Sequence, residues 1–136
     1  MAERPMLFDA GVWIASQDFD DGYYESACEL VFDSRRGAAA MDLTLYEIVN
    51  GILRRWRDPE KAVDVCRSAT SRCQERLVRI DPELLESITS IASEHGLTSY
   101  DAAYVAVARR QGWMLVSTDI RDLVSKGLAI TPDAAV

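Results

Sequence analysis

Short apolar runs alternate with longer helical patterns along the 136 residues of the chain. The first run, Met6–Phe8, is apolar on both faces, as expected of a strand buried inside a parallel sheet. Three further runs predict strands and a last one predicts an edge strand: Ala38–Met41, Leu77–Ile80, Met114–Ser117 and Leu128–Thr131.

The clearest helical pattern follows the second of these runs. Apolar residues from Leu45 to Trp56 recur at spacings of three and four, so they form one face of a helix, and Thr44 is suited to cap its start. Further helices are predicted over about Asp20–Arg35, from Pro59 onward, over Pro82–His95, over about Ser99–Gln111, and in a short segment from Leu123 to Gly127.

Helices that alternate with strands indicate an α/β domain with a mostly parallel sheet and helices on both faces. The chain contains no internal repeat, low-complexity segment or flexible linker, so we expect residues 1–136 to form one domain. Sheets of this kind bind ligands beyond the carboxyl ends of their strands. Polar residues at those ends are therefore the candidates for function.

Four acidic residues lie at strand ends or helix starts: Asp9, Glu47, Asp101 and Asp119. Asp9 and Asp119 come after apolar strands, where an aspartate can simply cap the next helix. Glu47 and Asp101 each lie three residues after a threonine, so each fits a capping box. Taken singly, each of the four acids has a purely structural explanation.

The surroundings of Asp101 point beyond capping. Residues 102–108, AAYVAVA, are apolar around the whole helix, and this pattern predicts a buried helix. A carboxylate at its head needs a partner, and acids that converge on one edge of a sheet repel each other. A cation would neutralise them, and oxygen ligands without histidine or cysteine favour Mg²⁺ or Mn²⁺. We therefore expect a divalent-metal site.

The formal net charge of −7 is opposite to the basic footprint of a general nucleic-acid binder. A nucleic-acid substrate would have to be held by the metal, by a partner chain or by a local basic patch. Arg54 and Arg55 continue the helix that contains Glu47, so they are candidates for contact with RNA phosphates. A solvated helix face is the alternative interpretation.

Other classes of protein find little support in the sequence. No apolar run is long enough to span a membrane and the N-terminus has no signal-peptide pattern, so we expect a cytoplasmic protein. The three cysteines form no CxxC pair, and the one histidine, His95, lies at a predicted helix C-terminus. There is also no P-loop or GxGxxG run.

The segments around the four acids resemble the motifs of the PIN domain, most closely those of VapC toxins from bacterial and archaeal toxin–antitoxin pairs. The motifs are LFDAGVWIA, LTLYEIVNGILRR, LTSYDAAYVAVARRQG and LVSTDIRDL. They extend over nearly the whole chain, and the third is the most specific. Ser117 stands where threonine is commoner in the fourth motif, and it retains the hydroxyl.

The resemblance implies a three-layer α/β/α sandwich that cleaves RNA as an endoribonuclease. By position, Asp9, Glu47, Asp101 and Asp119 would be the catalytic residues and would bind Mg²⁺, with Mn²⁺ as a substitute. Asp122 is a further metal-ligand candidate or, alternatively, an exposed helix residue. The resemblance also implies a cognate antitoxin protein and a homodimer.

Two alternatives stay open at this point. A receiver-type phospho-acceptor domain is also α/β with an acidic Mg²⁺ site, but it would place adjacent acids after the first strand. Here Asp9 is followed by Ala10 and Gly11, and Lys126 is the only late lysine. A catalytically silent interaction domain with the same fold is the second alternative, and the acids at all four positions argue against it.

Overall fold

The structure, a computed structural model, describes residues 4–33 and 35–136. Its strands are β1 (Met6–Phe8), β2 (Ala38–Met41), β3 (Leu77–Val78) and β4 (Met114–Val116). Its α-helices are α1 (Ala10–Ala15), α2 (Tyr24–Phe32), α3 (Asp42–Trp56), α4 (Pro59–Cys73), α5 (Pro82–His95), α6 (Ser99–Gln111) and α7 (Pro132–Ala135). A 3₁₀ turn (Gln74–Arg76) precedes β3, and a π-helical turn (Ile120–Val124) follows β4. Within the described ranges, no helix is long and apolar enough to cross a lipid bilayer.

The strands form one sheet in the order β3-β2-β1-β4. Met6 of β1 pairs with Ala38 of β2 on one side and with Met114 of β4 on the other. All strand pairings among the described residues are parallel, so the sheet that we expected to be mostly parallel is wholly so. The carboxyl ends of the strands therefore meet at one edge of the sheet.

Alternate side chains of the sheet pack into two separate hydrophobic cores. Met6 and Phe8 belong to a core that also contains residues of α1 to α4 and α7. Leu7 and Met41 belong to a second core, which they share with α5 and α6. Because successive strand residues point to opposite faces, the sheet lies between two helical layers. The expected three-layer α/β/α sandwich is confirmed.

Several predicted helices have the expected bounds. Helix α4 begins at Pro59, and α5 runs from Pro82 to His95. The cap that follows α5 is Gly96, which has a positive φ of 65°. Helix α6 begins after Thr98, whose side chain accepts a hydrogen bond from the backbone of Asp101. Residues 102–108 of α6 are all buried, as their continuous apolar pattern predicts.

The segment between β1 and β2 differs from the prediction of one helix over about Asp20–Arg35. A short helix, α1, begins directly after Asp9, and α2 begins only at Tyr24. In the connecting turn, the carboxylates of Asp18 and Asp21 accept hydrogen bonds from backbone N–H groups two residues further on. Such local bonds compete with helical ones, so the turn keeps these residues out of α2.

The start of helix α3 also differs from the prediction. The helix begins at Asp42 with Met41 as its cap, so Thr44 lies inside the first turn instead of before it. The Thr44 hydroxyl accepts the backbone N–H of Met41 at 3.0 Å. Glu47 therefore lies in the second turn, and the capping box from Thr44 to Glu47 is wrong.

Two predicted strands are shorter than their apolar runs. β3 covers only Leu77–Val78, and the predicted edge strand Leu128–Thr131 is reduced to one parallel bridge between Val116 and Ile130. Both segments lie at the outer edges of the sheet, where a strand has a neighbour on one side only. The core strands that position the acidic residues are unaffected.

Candidate active site

The four predicted acids converge near the carboxyl edge of the sheet. Asp9 follows β1 directly, Asp119 lies three residues beyond the end of β4, and Glu47 and Asp101 lie near the starts of α3 and α6. Their charges act on one another: Glu47 and Asp119 both help to raise the pKa of Asp101. Residues from four distant parts of the chain therefore share one electrostatic environment.

The tightest group consists of Asp101, Asp119 and Asp122. Each contributes a carboxylate oxygen, and these oxygens lie within 4.8 Å of one another. Asp122 thus lies among the predicted acids, although the sequence left it open as an exposed helix residue. Asp9 and Glu47 lie outside this tightest group, but their charges are coupled to that of Asp101.

Asp9 is the most buried of these acids, with 9% of its surface exposed. One carboxylate oxygen caps α1 by accepting the backbone N–H of Val12 at 3.2 Å, and the other accepts the hydroxyl of Ser117. Burial raises the pKa of Asp9 to about 7, against the hydrogen bonds from Ser117 and Val12, which lower it. The charges of Glu47 and Asp101 also contribute to this increase in pKa, less than burial does. The surroundings of Asp9 thus disfavour its ionised form.

Ser117 links the acid after β1 to the acid after β4. Its hydroxyl is fully buried, donates to Asp9, and accepts the backbone N–H of Asp119 at 2.9 Å. Asp119 in turn caps the π-helical turn by accepting the backbone N–H of Asp122 at 3.0 Å. One hydroxyl therefore joins the two segments that follow β1 and β4.

Glu47 reaches the site from the second turn of α3. One of its oxygens accepts the phenol hydroxyl of Tyr104 at 2.6 Å. Burial raises the pKa of Glu47, and the bond from Tyr104 acts in the opposite direction. Tyr104 was not among the residues predicted from the sequence. The available signal was that a tyrosine inside a buried helix needs a hydrogen-bond partner for its hydroxyl.

Asp101 is half-buried at the head of α6. Its pKa is raised to about 6, first by burial and then by the charges of Asp119, Asp122 and Glu47 in that order. The ammonium group of Lys126 has a smaller opposing effect on the same pKa. Since a nearby lysine compensates only partly, the arrangement favours a further positive charge at this place.

Gly11 allows the first turn of α1 to approach the segment after β4. A Cβ atom added to Gly11 would lie 2.0 Å from Oγ1 of Thr118 and 3.2 Å from Oδ1 of Asp9.

We expect Gly11→Ala to lower the free energy of unfolding by about 1–3 kcal/mol, because Thr118 must move. Thermal denaturation measures this loss. Gly22→Ala is the matched control, since no atom lies within 4 Å of its added Cβ, and equal losses in both variants would contradict the explanation.

The two candidate arginines differ in their surroundings. Arg55 forms an ion pair with Asp18 at 2.9 Å and lies 3.9 Å from Asp21. Arg54 is exposed and lies seven residues after Glu47, which places both on the same side of α3. Arg54 is therefore the better placed of the two to meet a substrate that extends from the acids.

Known proteins match this chain over most of its length. Residues 6–125 match the family model of the PIN domain. Exonuclease VapC9 of Pyrobaculum aerophilum is 32% identical over an aligned length of 96 residues, and the match covers 68% of this chain and 68% of VapC9. Ribonuclease VapC3 of the same organism is 32% identical over an aligned length of 100 residues, and the match covers 68% of this chain and 73% of VapC3.

Solved structures have the same architecture. The crystal structure of PAE2754 from Pyrobaculum aerophilum aligns with a TM-score of 0.71 at 27% identity and covers 99% of this chain and 88% of PAE2754. A chain of a toxin–antitoxin complex from Klebsiella pneumoniae aligns with a TM-score of 0.69 at 17% identity, over 93% of this chain and 97% of the other, which shows a shared fold. Because the family model matches most of its length, and two relatives exceed 30% identity, this chain belongs to the PIN domain family.

Proposed function

We propose that this chain is a metal-dependent endoribonuclease and the toxin of a toxin–antitoxin pair. The observation that carries the proposal is the group of three carboxylates within 4.8 Å, to which Asp9 and Glu47 are electrostatically coupled. The names of the two relatives, an exonuclease and a ribonuclease, support a nuclease reaction. Membership of the PIN family makes a receiver-type domain a poor alternative.

The residues present fit a hard divalent cation. All the candidate ligands are carboxylates, and oxygen-only sites favour Mg²⁺ or Mn²⁺ over zinc. Burial first, and the neighbouring acids second, raise the pKa values of Asp9 and Asp101, so their ionised forms are disfavoured without a cation. The proposed ligands of Mg²⁺ are the four acids identified from the sequence, joined by Asp122: Asp9, Glu47, Asp101, Asp119 and Asp122.

Hydrolysis of a phosphodiester bond needs an activated water and neutralisation of charge on the phosphoryl group. A bound Mg²⁺ ion supplies Lewis acidity for both tasks. The protein holds three of these carboxylates by hydrogen bonds before the substrate arrives: Ser117 donates to Asp9, the backbone N–H of Asp122 donates to Asp119, and Tyr104 donates to Glu47. Such preorganisation reduces the rearrangement that the reaction would otherwise require.

The antitoxin and the homodimer belong to the same proposal. Support for an antitoxin partner comes from the shared fold with a chain of the Klebsiella pneumoniae toxin–antitoxin complex. The family resemblance supports the homodimer and a cytoplasmic setting. RNA held by an acidic chain would depend on local positive charge, since the formal net charge is −7.

The mode of cleavage can be decided with circular RNA, which has no ends. We expect the purified protein to open circular RNA in Mg²⁺ and to leave it intact in EDTA. Degradation of linear RNA with no attack on the circle would replace the endonuclease by an exonuclease, the activity in the name of VapC9. Failure to cut any RNA in Mg²⁺ or in Mn²⁺ would favour the silent interaction domain.

Arg54→Ala should weaken the binding of single-stranded RNA by removing one phosphate contact. The slope of log affinity against log salt concentration should become shallower by about 0.7, the value for one released counterion on a single strand. Fluorescence anisotropy with labelled RNA over a salt series measures both quantities. Arg67→Ala is the matched control, because Arg67 is exposed on α4 and lines a surface cleft that contains none of the candidate acids. Equal slopes for the two variants would remove Arg54 from the site.

A further inference from the structure

Tyr104 of α6 belongs to a continuous series of hydrogen bonds that ends on Glu47. Its hydroxyl donates to Oε1 of Glu47 at 2.6 Å and lies 2.9 Å from Oγ1 of Thr44. Oγ1 of Thr44 accepts the backbone N–H of Met41 at 3.0 Å. This series of hydrogen bonds thus begins at the last residue of β2 and ends on a carboxylate of the proposed site.

The direction of every bond in this series follows from the number of hydrogens. A phenol hydroxyl carries one hydrogen, and Tyr104 donates it to Glu47. The bond between Thr44 and Tyr104 must therefore be donated by the threonine. Because Thr44 itself accepts from Met41, all three donors point toward Glu47. Bonds aligned in one direction polarise and strengthen one another.

Burial makes the two hydroxyl groups difficult to replace. Thr44 is fully buried, and Tyr104 has 2% of its surface exposed, between the buried residues of α6. Water is therefore not at hand to substitute for a lost partner. Glu47, in contrast, is only partly buried, and its long side chain would gain rotational freedom if the bond from Tyr104 were removed.

We propose that Tyr104 is a positioning residue for Glu47. It holds one carboxylate oxygen so that the other is presented to the divalent cation shared with Asp101. The inference rests on the proposed metal-dependent function, and it adds a residue that itself binds neither metal nor RNA. Hydrogen bonds behind metal ligands typically contribute about 10- to 100-fold to metal affinity.

The test is a Mn²⁺ titration without RNA, in which electron paramagnetic resonance reports free Mn²⁺. We expect Tyr104→Phe to raise the Kd for Mn²⁺ by about 10- to 100-fold. Tyr46→Phe should leave it unchanged, because Tyr46 is 73% exposed and lies beside Glu47 in the sequence. Thr44→Ser keeps the hydroxyl chain and should bind like the wild type, whereas Thr44→Val should weaken binding in the same direction as Tyr104→Phe.

The outcomes separate this inference from the proposed function. No Mn²⁺ binding by the wild type would overturn the proposed function and the positioning role with it. Binding by the wild type with an unchanged or lower Kd in Tyr104→Phe would overturn the positioning role alone, even if thermal unfolding in EDTA showed lost stability. Should Tyr104→Phe not fold, the comparison of Thr44→Ser with Thr44→Val decides: equal Kd values overturn the role.

Discussion

Asp101→Asn should reduce metal-dependent RNA cleavage by at least about a hundredfold. A carboxylate oxygen of Asp101 lies within 4.8 Å of carboxylate oxygens of Asp119 and Asp122. The charge of Glu47 also acts on Asp101, so the loss of this carboxylate affects the whole cluster. Asparagine preserves the size of the side chain and removes its charge. A metal ion contributes several kcal/mol to phosphoryl chemistry, and each 1.36 kcal/mol, roughly, corresponds to tenfold in rate. Initial rates on labelled RNA in saturating Mg²⁺ measure the effect.

The matched control for Asp101→Asn is Asp133→Asn. Asp133 is exposed in α7, and its replacement removes the same formal charge from the chain. We expect this variant to cut RNA at the wild-type rate. Both variants should also unfold cooperatively in EDTA, which shows that a lost activity is not a lost fold. Wild-type cleavage by Asp101→Asn would contradict a catalytic role for the carboxylate cluster.

Asp9→Asn should stabilise the metal-free protein at pH 8. Burial raises the pKa of Asp9 from 3.8 to about 7, so the folded state holds a proton that the unfolded state releases between these values. The stability from this group is therefore fully present below about pH 4 and is lost as the pH rises through about 7. The raised pKa corresponds to roughly 4 kcal/mol at pH 8. Asp9→Asn should regain part of this, because the amide keeps only one of the two oxygens that accept from Val12 and Ser117.

Chemical denaturation in EDTA at several pH values between 4 and 8 measures this effect. The wild type should lose stability over that range, and Asp9→Asn should lose much less, since Asp101 still contributes to the slope. In excess Mn²⁺ the order should reverse, because the wild type gains stability from the ion by mass action. Parallel pH profiles of the two proteins in EDTA would contradict the raised pKa of Asp9.

The core strands and the acids at their ends could be predicted because each depends on local sequence. A strand buried on both faces is a continuous apolar run, as in Met6–Phe8. In a parallel sheet its carboxyl end lies at the edge where ligands bind. The buried helix α6 was equally clear from its unbroken apolar residues. The positions of Asp9 and Asp101 followed from these two elements.

The contacts that hold the acids could not be predicted in the same way. The hydrogen bond from Ser117 to Asp9 joins residues 108 apart in the chain, and that from Tyr104 to Glu47 joins residues 57 apart. Periodicity reports only on neighbours a few positions away. The start of α3 was misplaced for a related reason, since a threonine can accept a backbone N–H from inside the first turn as well as from before it.

The most direct test of the proposed metal site is diffraction from crystals soaked in Mn²⁺, recorded near the absorption edge of manganese. Anomalous scattering locates the ion without any assumption about the reaction. Our account predicts a strong anomalous peak in contact with the carboxylates of Asp101, Asp119 or Asp122. Well-ordered carboxylates with no anomalous density beside them at millimolar Mn²⁺ would contradict it.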